Sequence, residues 1–254
     1  GLIYGSYAAL IYGLPILGGI LADRYLGMRK AVFFGALLLV LGHLSMAIEG
    51  PVASVEDGFV QRSEFNVQIF YFSLSLIAVG VGFLKANIST LVGSLYSSND
   101  SRRDSGFTIF YMGINIGAFI ATLLCAYVGE VYGWRYGFGL AGIGMVFGLL
   151  TFHFGKFFLG DIGLPPNKDL LNKVFFGIRL EKIIYILSLM FVVFIWGLIQ
   201  LSQGLGLILL LLGFFAVSWI IWFSLKKCNK SDRNNMFAML ILMAFSILFW
   251  ALFE

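Results

Sequence analysis

"GVGFLKANISTLVG", residues 80–93, places one lysine, Lys85, inside an apolar run that extends over 68–95. A lysine at the centre of a bilayer costs about 2.5–3.5 kcal/mol on insertion scales. A soluble core helix of this length would place its charges on an outer stripe. The run instead reads as a membrane span, and the lysine as a group with a partner or a task. The rest of the chain agrees. Of 254 residues, 60% are hydrophobic and only 12% charged, and mean hydropathy is +0.94. A chain with half the usual share of charge cannot cover its surface with polar groups, so most of its solvent is lipid.

Eight apolar segments are long enough to span as helices: 2–22, 31–49, 68–95, 105–128, 136–155, 183–200, 205–225 and 235–253. None alternates with the period of barrel strands, so an all-α polytopic membrane protein is expected. The loops set its orientation. Fourteen of the 17 lysines and arginines lie in alternate loops, and the opposite loops carry only Arg62 and Arg135. By the positive-inside rule the basic loops are cytoplasmic and Gly1 starts outside.

Composition also excludes functions. The net charge of +4 is spread between apolar spans, which is not a nucleic-acid-binding surface. Cys125 and Cys228 suggest neither a disulfide framework nor a metal site, and His43 and His153 lack a second ligand at helical spacing. No ATP-binding loop is present. An enzyme would show a cluster of acid, base or metal ligands, and none is visible. The chain begins at glycine and ends after an apolar run, and is read as a piece of a longer protein.

Counting inward from the cytoplasmic span ends, Tyr12, Lys85 and Asn115 each lie ten residues deep, about 15 Å from the boundary. Three polar groups at one depth suggest a shared internal cavity, with Lys85 as its strongest member. Acids near it lie in loops or at span ends, except Glu254 on the last span, so the carboxylate that offsets Lys85 is expected on another segment. The loop after the first span places Asp23 beside Arg24, Arg29 and Lys30. A retention signal explains the cations but not Asp23, which suits a helix-capping contact made and broken between conformations. Gly113 with Gly117, and Gly144 with Gly148, have the spacing that permits close helix packing. The segment 156–182, with Pro165 and Pro166, divides five spans from three.

These residues resemble the proton-dependent oligopeptide transporter family of the major facilitator superfamily. "GGILADRYLGMRKAVFFGALLLVLG" (18–42) is similar to the family's first signature and "FTIFYMGINIGAF" (107–119) to its second. "GFLKANISTLVGSLY" and the terminal "FWALFE" resemble its fourth and seventh helices. The resemblance implies a partial major facilitator fold: 1–160 as an incomplete N-terminal bundle, 161–233 as a linker with an inserted two-helix hairpin, and 234–254 as the first helix of a second bundle. It implies proton-coupled import of di- and tripeptides by alternating access, powered by the proton gradient with no cofactor. Its partners would be peptide, protons, lipid and the remainder of the same polypeptide, in a bacterial cell membrane. It implies peptide contacts at Tyr12, Lys85, Tyr111 and Asn115, proton coupling at Lys85 and Glu254, and a switch loop at Asp23, Arg24, Arg29 and Lys30. Where many members have Lys-Pro-Asn in the fourth helix, this chain has Lys85-Ala86-Asn87, so less kinking is expected there. Amino acids or nitrate as cargo, a membrane-embedded enzyme or scaffold, and a non-transporting fragment remain as alternatives.

Overall fold

The computed structural model describes residues 2–48, 50–51, 54–56, 59–175 and 177–253, with side chains described for most of them. It is almost entirely helical. The elements are α1 (Leu2–Leu21), α2 (Met28–Met46), α3 (Glu64–Gly93), α4 (Arg103–Tyr132), α5 (Trp134–Gly155), α6 (Lys168–Asn172), α7 (Leu180–Gln200), α8 (Ser202–Lys227) and α9 (Lys230–Phe253). Two small antiparallel hairpins accompany them. β1 (Ser54–Glu56) pairs with β2 (Phe59–Gln61), and β3 (Val174–Phe175) with β4 (Ile178–Arg179).

Among the described residues, seven helical segments are long and apolar enough to cross a membrane. They lie on seven of the eight expected spans. The eighth, 235–253, lies on α9, a 24-residue helix whose first turns are the polar run Lys230–Asn235. Both α3 and α4 are 30 residues long, about 45 Å at 1.5 Å per residue, so they outreach a 30 Å hydrocarbon core. α3 runs unbroken through Lys85-Ala86-Asn87.

The chain forms two compact units, Ile3–Leu201 and Ser202 onward. In the first, α3 is the hub. Lipid removes the hydrophobic drive for helix association, so close backbone approach must supply the packing. Glycines provide it on two sides of α3. A Cβ on Gly35 of α2 would meet the Gly80 oxygen at 2.7 Å, and one on Gly18 of α1 would meet the Gly82 carbonyl carbon at 2.6 Å. On a third side α7 presents Ile184, Ser188, Val192, Ile195 and Ile199, a buried stripe at helical spacing. The Phe34 ring of α2 packs at a tilt of 38° on Tyr185 of α7, centroids 4.8 Å apart, and Gln68 of α3 donates to Gln200 of α7 at 3.1 Å.

For Gly113, Gly117, Gly144 and Gly148, no such partner lies among the described residues. A Cβ on any of them would meet nothing within 4 Å. Small-residue spacing marks a smooth helix face but not which helix covers it.

The segment 156–182 is folded, not a plain linker. It contains a 3₁₀ turn (Lys156–Leu159), α6 capped by the Asn167 side chain, and the β3–β4 hairpin. It lies against the corner between α1 and α2. α1 runs on through a π-helical turn (Ala22–Leu26), and Gly27 makes the corner at φ 75°. A Cβ there would meet the Leu164 carbonyl carbon at 2.5 Å, so both backbone and space require glycine. Leu26 and Leu171 are buried. In the second unit, α8 and α9 pack through the Ser224 hydroxyl, which donates to the Ile220 carbonyl and lies 3.1 Å from the Met236 sulfur.

Candidate functional site

Asn87 fixes α1 on α3. It is 2% exposed, and its side-chain amide donates to the Gly18 carbonyl at 3.2 Å and to Phe83 at 2.7 Å. A buried amide must be satisfied, and here it ties two helices at the glycine crossing. On the neighbouring face, the Lys85 ammonium lies 4.1 Å from the centroid of the Tyr12 ring. This cation–π contact is worth about 0.5–2 kcal/mol, more as water is excluded. The structure thus joins two residues that sequence depth had aligned. The register is offset from an equal-depth count, because Gly82 packs against both Leu14 and Gly18. Lys85 is rooted nearer the basic loops than Tyr12 and reaches it along its four-carbon stem.

Both side chains are exposed, Tyr12 at 72%. Lys85 makes no ion pair among the described residues. Glu254 lies outside the described residues.

Tyr111 and Asn115 occupy the central turns of α4. The Asn115 amide donates to the Tyr111 carbonyl at 2.8 Å, one turn back, and bonds to neither Tyr12 nor Lys85. Tyr111 is 67% exposed. With Thr108 and Thr122 they form a polar stripe at spacings of three, four and seven. The two threonines escaped the sequence reading, although their spacing from Asn115 was the available signal. The structure therefore joins Tyr12 to Lys85 and joins Tyr111 to Asn115, as two pairs on α1–α3 and on α4.

In the loop after α1, Asp23 and Arg24 are exposed, and Asp23 has no partner among the described residues. Arg29 and Lys30 are engaged. The Arg29 guanidinium donates to the Gly160 carbonyl and its backbone N–H to Gly163 at 3.0 Å. The Lys30 ammonium pairs with Glu181 in the first turn of α7 at 2.6 Å, where the helix dipole also favours a carboxylate. Sequence alone did not single out Glu181 or Gly160.

On the next loop, Arg102 holds Asp100. Hydrogen bonds from its guanidinium and its backbone N–H keep the carboxyl below the usual carboxylate range, and Arg102 is raised in turn.

Membrane-length apolar helices, one of them carrying a lysine over an aromatic ring, define a polytopic membrane protein. Residues 29–254 match the POT family model, PTR2. The chain belongs to the POT family. It is 35% identical over 258 residues to an uncharacterized transporter, YclF, of Bacillus subtilis, covering 99% of this chain and 48% of that protein. It is 34% identical over 263 residues to a di-/tripeptide transporter of Lactococcus lactis, covering 99% and 49%. A crystal structure of a peptide transporter POT (E310Q mutant) in complex with alafosfalin superposes with a TM-score of 0.69 at 35% identity, covering 98% of this chain and 48% of that one. The chain spans about half the length of the curated relatives it matches.

Proposed function

We propose that the full-length protein carrying this chain is a secondary active transporter that imports di- and tripeptides with protons. Alternating access would rock two bundles about a midplane site in a bacterial cell membrane. The observation that supports it best is the Lys85 ammonium over the Tyr12 ring, in a chain of the POT family. An ammonium without a carboxylate partner can receive a peptide carboxylate. In this reading Tyr12 and Lys85 form one wall of the peptide site. Tyr111 and Asn115 on α4 form another, with Asn115 turning its amide from its own helix to the peptide backbone. Glu254 and Lys85 would couple the proton, and Asp23, Arg24, Arg29 and Lys30 would bias the conformational exchange. Residues 1–160 would belong to the N-terminal bundle, 161–233 to the linker and inserted helices, and 234–254 to the second bundle.

Uptake of a labelled dipeptide into proteoliposomes under an imposed pH gradient tests this. Accumulation is expected with the interior alkaline, and its loss in Lys85→Ala. Uptake indifferent to the gradient would remove proton coupling. Competition by nitrate or single amino acids, with none from dipeptides, would reassign the cargo.

A further inference from the structure

The end of α5 beside the basic loops carries a corner of which the transport reading uses only Arg29. Three basic-type side chains converge there on a cavity of about 620 Å³: Arg29 from the first turn of α2, His153 from the last turn of α5, and Lys156 from the 3₁₀ turn. Asp161 is the one carboxylate among the described residues that line it. Arg29 and Lys156 against Asp161 leave one net positive charge.

The neighbouring surface is unusual in the opposite sense. Phe154, Phe157 and Phe158 are 71%, 84% and 87% exposed. Three adjacent aromatic rings standing off a helix end are unfavourable in water and favourable at the bilayer interface. The cavity lies at the end of a membrane-length helix, where headgroups are expected, with the exposed rings and the cations side by side. Its leaflet is the one beside the basic loops, cytoplasmic by the positive-inside rule.

The arginine is also prepared for an anion. One guanidinium nitrogen is held by the Gly160 carbonyl, which fixes the plane of the group. Its Nε is buried and has no acceptor among the described residues. Buried donors are nearly always satisfied, so this N–H lacks an oxygen that the chain does not supply. The His153 ring, braced by Phe33 at 5.7 Å and Phe154 at 5.4 Å, adds a further polar group on the opposite wall.

We propose that this corner binds the headgroup of an anionic phospholipid of the cytoplasmic leaflet. The phosphodiester lies between Arg29 and Lys156, and the acyl chains run past Phe154, Phe157 and Phe158. A singly charged phosphodiester matches the one net positive charge. Basic pockets between membrane helices take such headgroups, and each cation contributes about fivefold in affinity. The exposed aromatic rim favours an occupant with an apolar part over a free phosphate. Because Arg29 also holds Gly160, the bound lipid would brace the corner where segment 156–182 meets α2.

The site is independent of the cargo, so its test needs no transport. The full-length protein in detergent is titrated by native mass spectrometry with phosphatidylglycerol and, separately, with phosphatidylcholine of the same chains. Phosphatidylglycerol is expected to bind about tenfold more tightly. Lys156→Gln should weaken phosphatidylglycerol about fivefold and leave phosphatidylcholine unchanged. Paired Phe157→Ser and Phe158→Ser substitutions should weaken both lipids. Lys168→Gln, an exposed lysine outside the cavity, should change neither. All four positions are exposed, so the fold should hold in every variant. Equal binding of the two lipids, an unchanged Lys156→Gln, or an equal loss in Lys168→Gln would overturn the proposal. Displacement of phosphatidylglycerol by excess inorganic phosphate would reassign the cavity to a soluble anion.

Discussion

Helices α3 and α4 have the same length, 30 residues, and opposite environments. The middle of α3 is buried from Ser73 to Gly80, with α1, α2 and α7 around it. α4 is buried only at Gly106 and Gly129, near its two ends, where Tyr96 and Trp134 lie against it. Its central turns, which carry Tyr111 and Asn115, touch no other helix closely enough to be covered. The difference is not hydropathy, since both spans are strongly apolar. It is whether another helix of this chain lies opposite the small residues. α3 places Gly80 and Gly82 opposite glycines of two partners, so backbones meet and dispersion contacts accumulate. α4 has glycines at 113 and 117 but nothing opposite them. α3 is thus the scaffold of this unit, while the middle of α4 is uncovered in a chain that spans about half the length of its relatives.

Changes at these glycines should break that comparison most sharply. Gly35→Leu should destabilise the protein by about 3 kcal/mol, because the added atoms meet backbone that cannot yield. Gly117→Leu should leave stability within about 0.5 kcal/mol, since nothing lies within 4 Å. Unfolding in detergent, followed by circular dichroism, compares the two. Equal losses would mean that the middle of α4 is packed after all.

Asn87→Ala sharpens the α3 side by removing the tie to Gly18. A loss of about 1 kcal/mol is expected. The Lys85–Tyr12 contact should loosen with it, which quenching of a reporter at Tyr12 would register. The Lys30–Glu181 pair tests how segment 156–182 is held. A double-mutant cycle through Lys30→Ala and Glu181→Ala should return a coupling of about 1 kcal/mol, reduced by salt.

The smallest effect is expected at Asp100, at the loop joining α3 to α4. Its folded-state carboxyl is lowered by Arg102. Its contribution is therefore present above the unfolded carboxylate range and is lost as pH falls through the lowered value. Limited proteolysis of residues 97–103 should quicken at acid pH, and Asp100→Asn should abolish that dependence. A pH dependence that survives Asp100→Asn would assign it to another group.

Much of the α3 side was legible in the sequence. The lone lysine in an apolar run and the alternation of basic loops follow from the cost of charge in lipid, whereas the equal depth counted for Tyr12 and Lys85 is corrected by the helix register. The contacts that hold segment 156–182 were not legible. Arg29 meets Gly160 across 131 positions and Lys30 meets Glu181 across 151, and a charged loop has many possible partners. Nor could spacing separate packing glycines from bare ones. Gly35 and Gly80 matter because each lies opposite the other, which is a property of two helices at once. Asn115 shares the depth count of Lys85, yet its amide bonds within α4, because depth fixes height and not the facing direction.

The proposed peptide cavity would be lined by the middle of α4, across from Lys85. Asn115→Cys in the full-length protein, with native cysteines replaced, tests it through labelling by a membrane-impermeant maleimide. Rapid labelling that saturating dipeptide suppresses is expected. Labelling that is absent, or that dipeptide leaves unchanged, would contradict it.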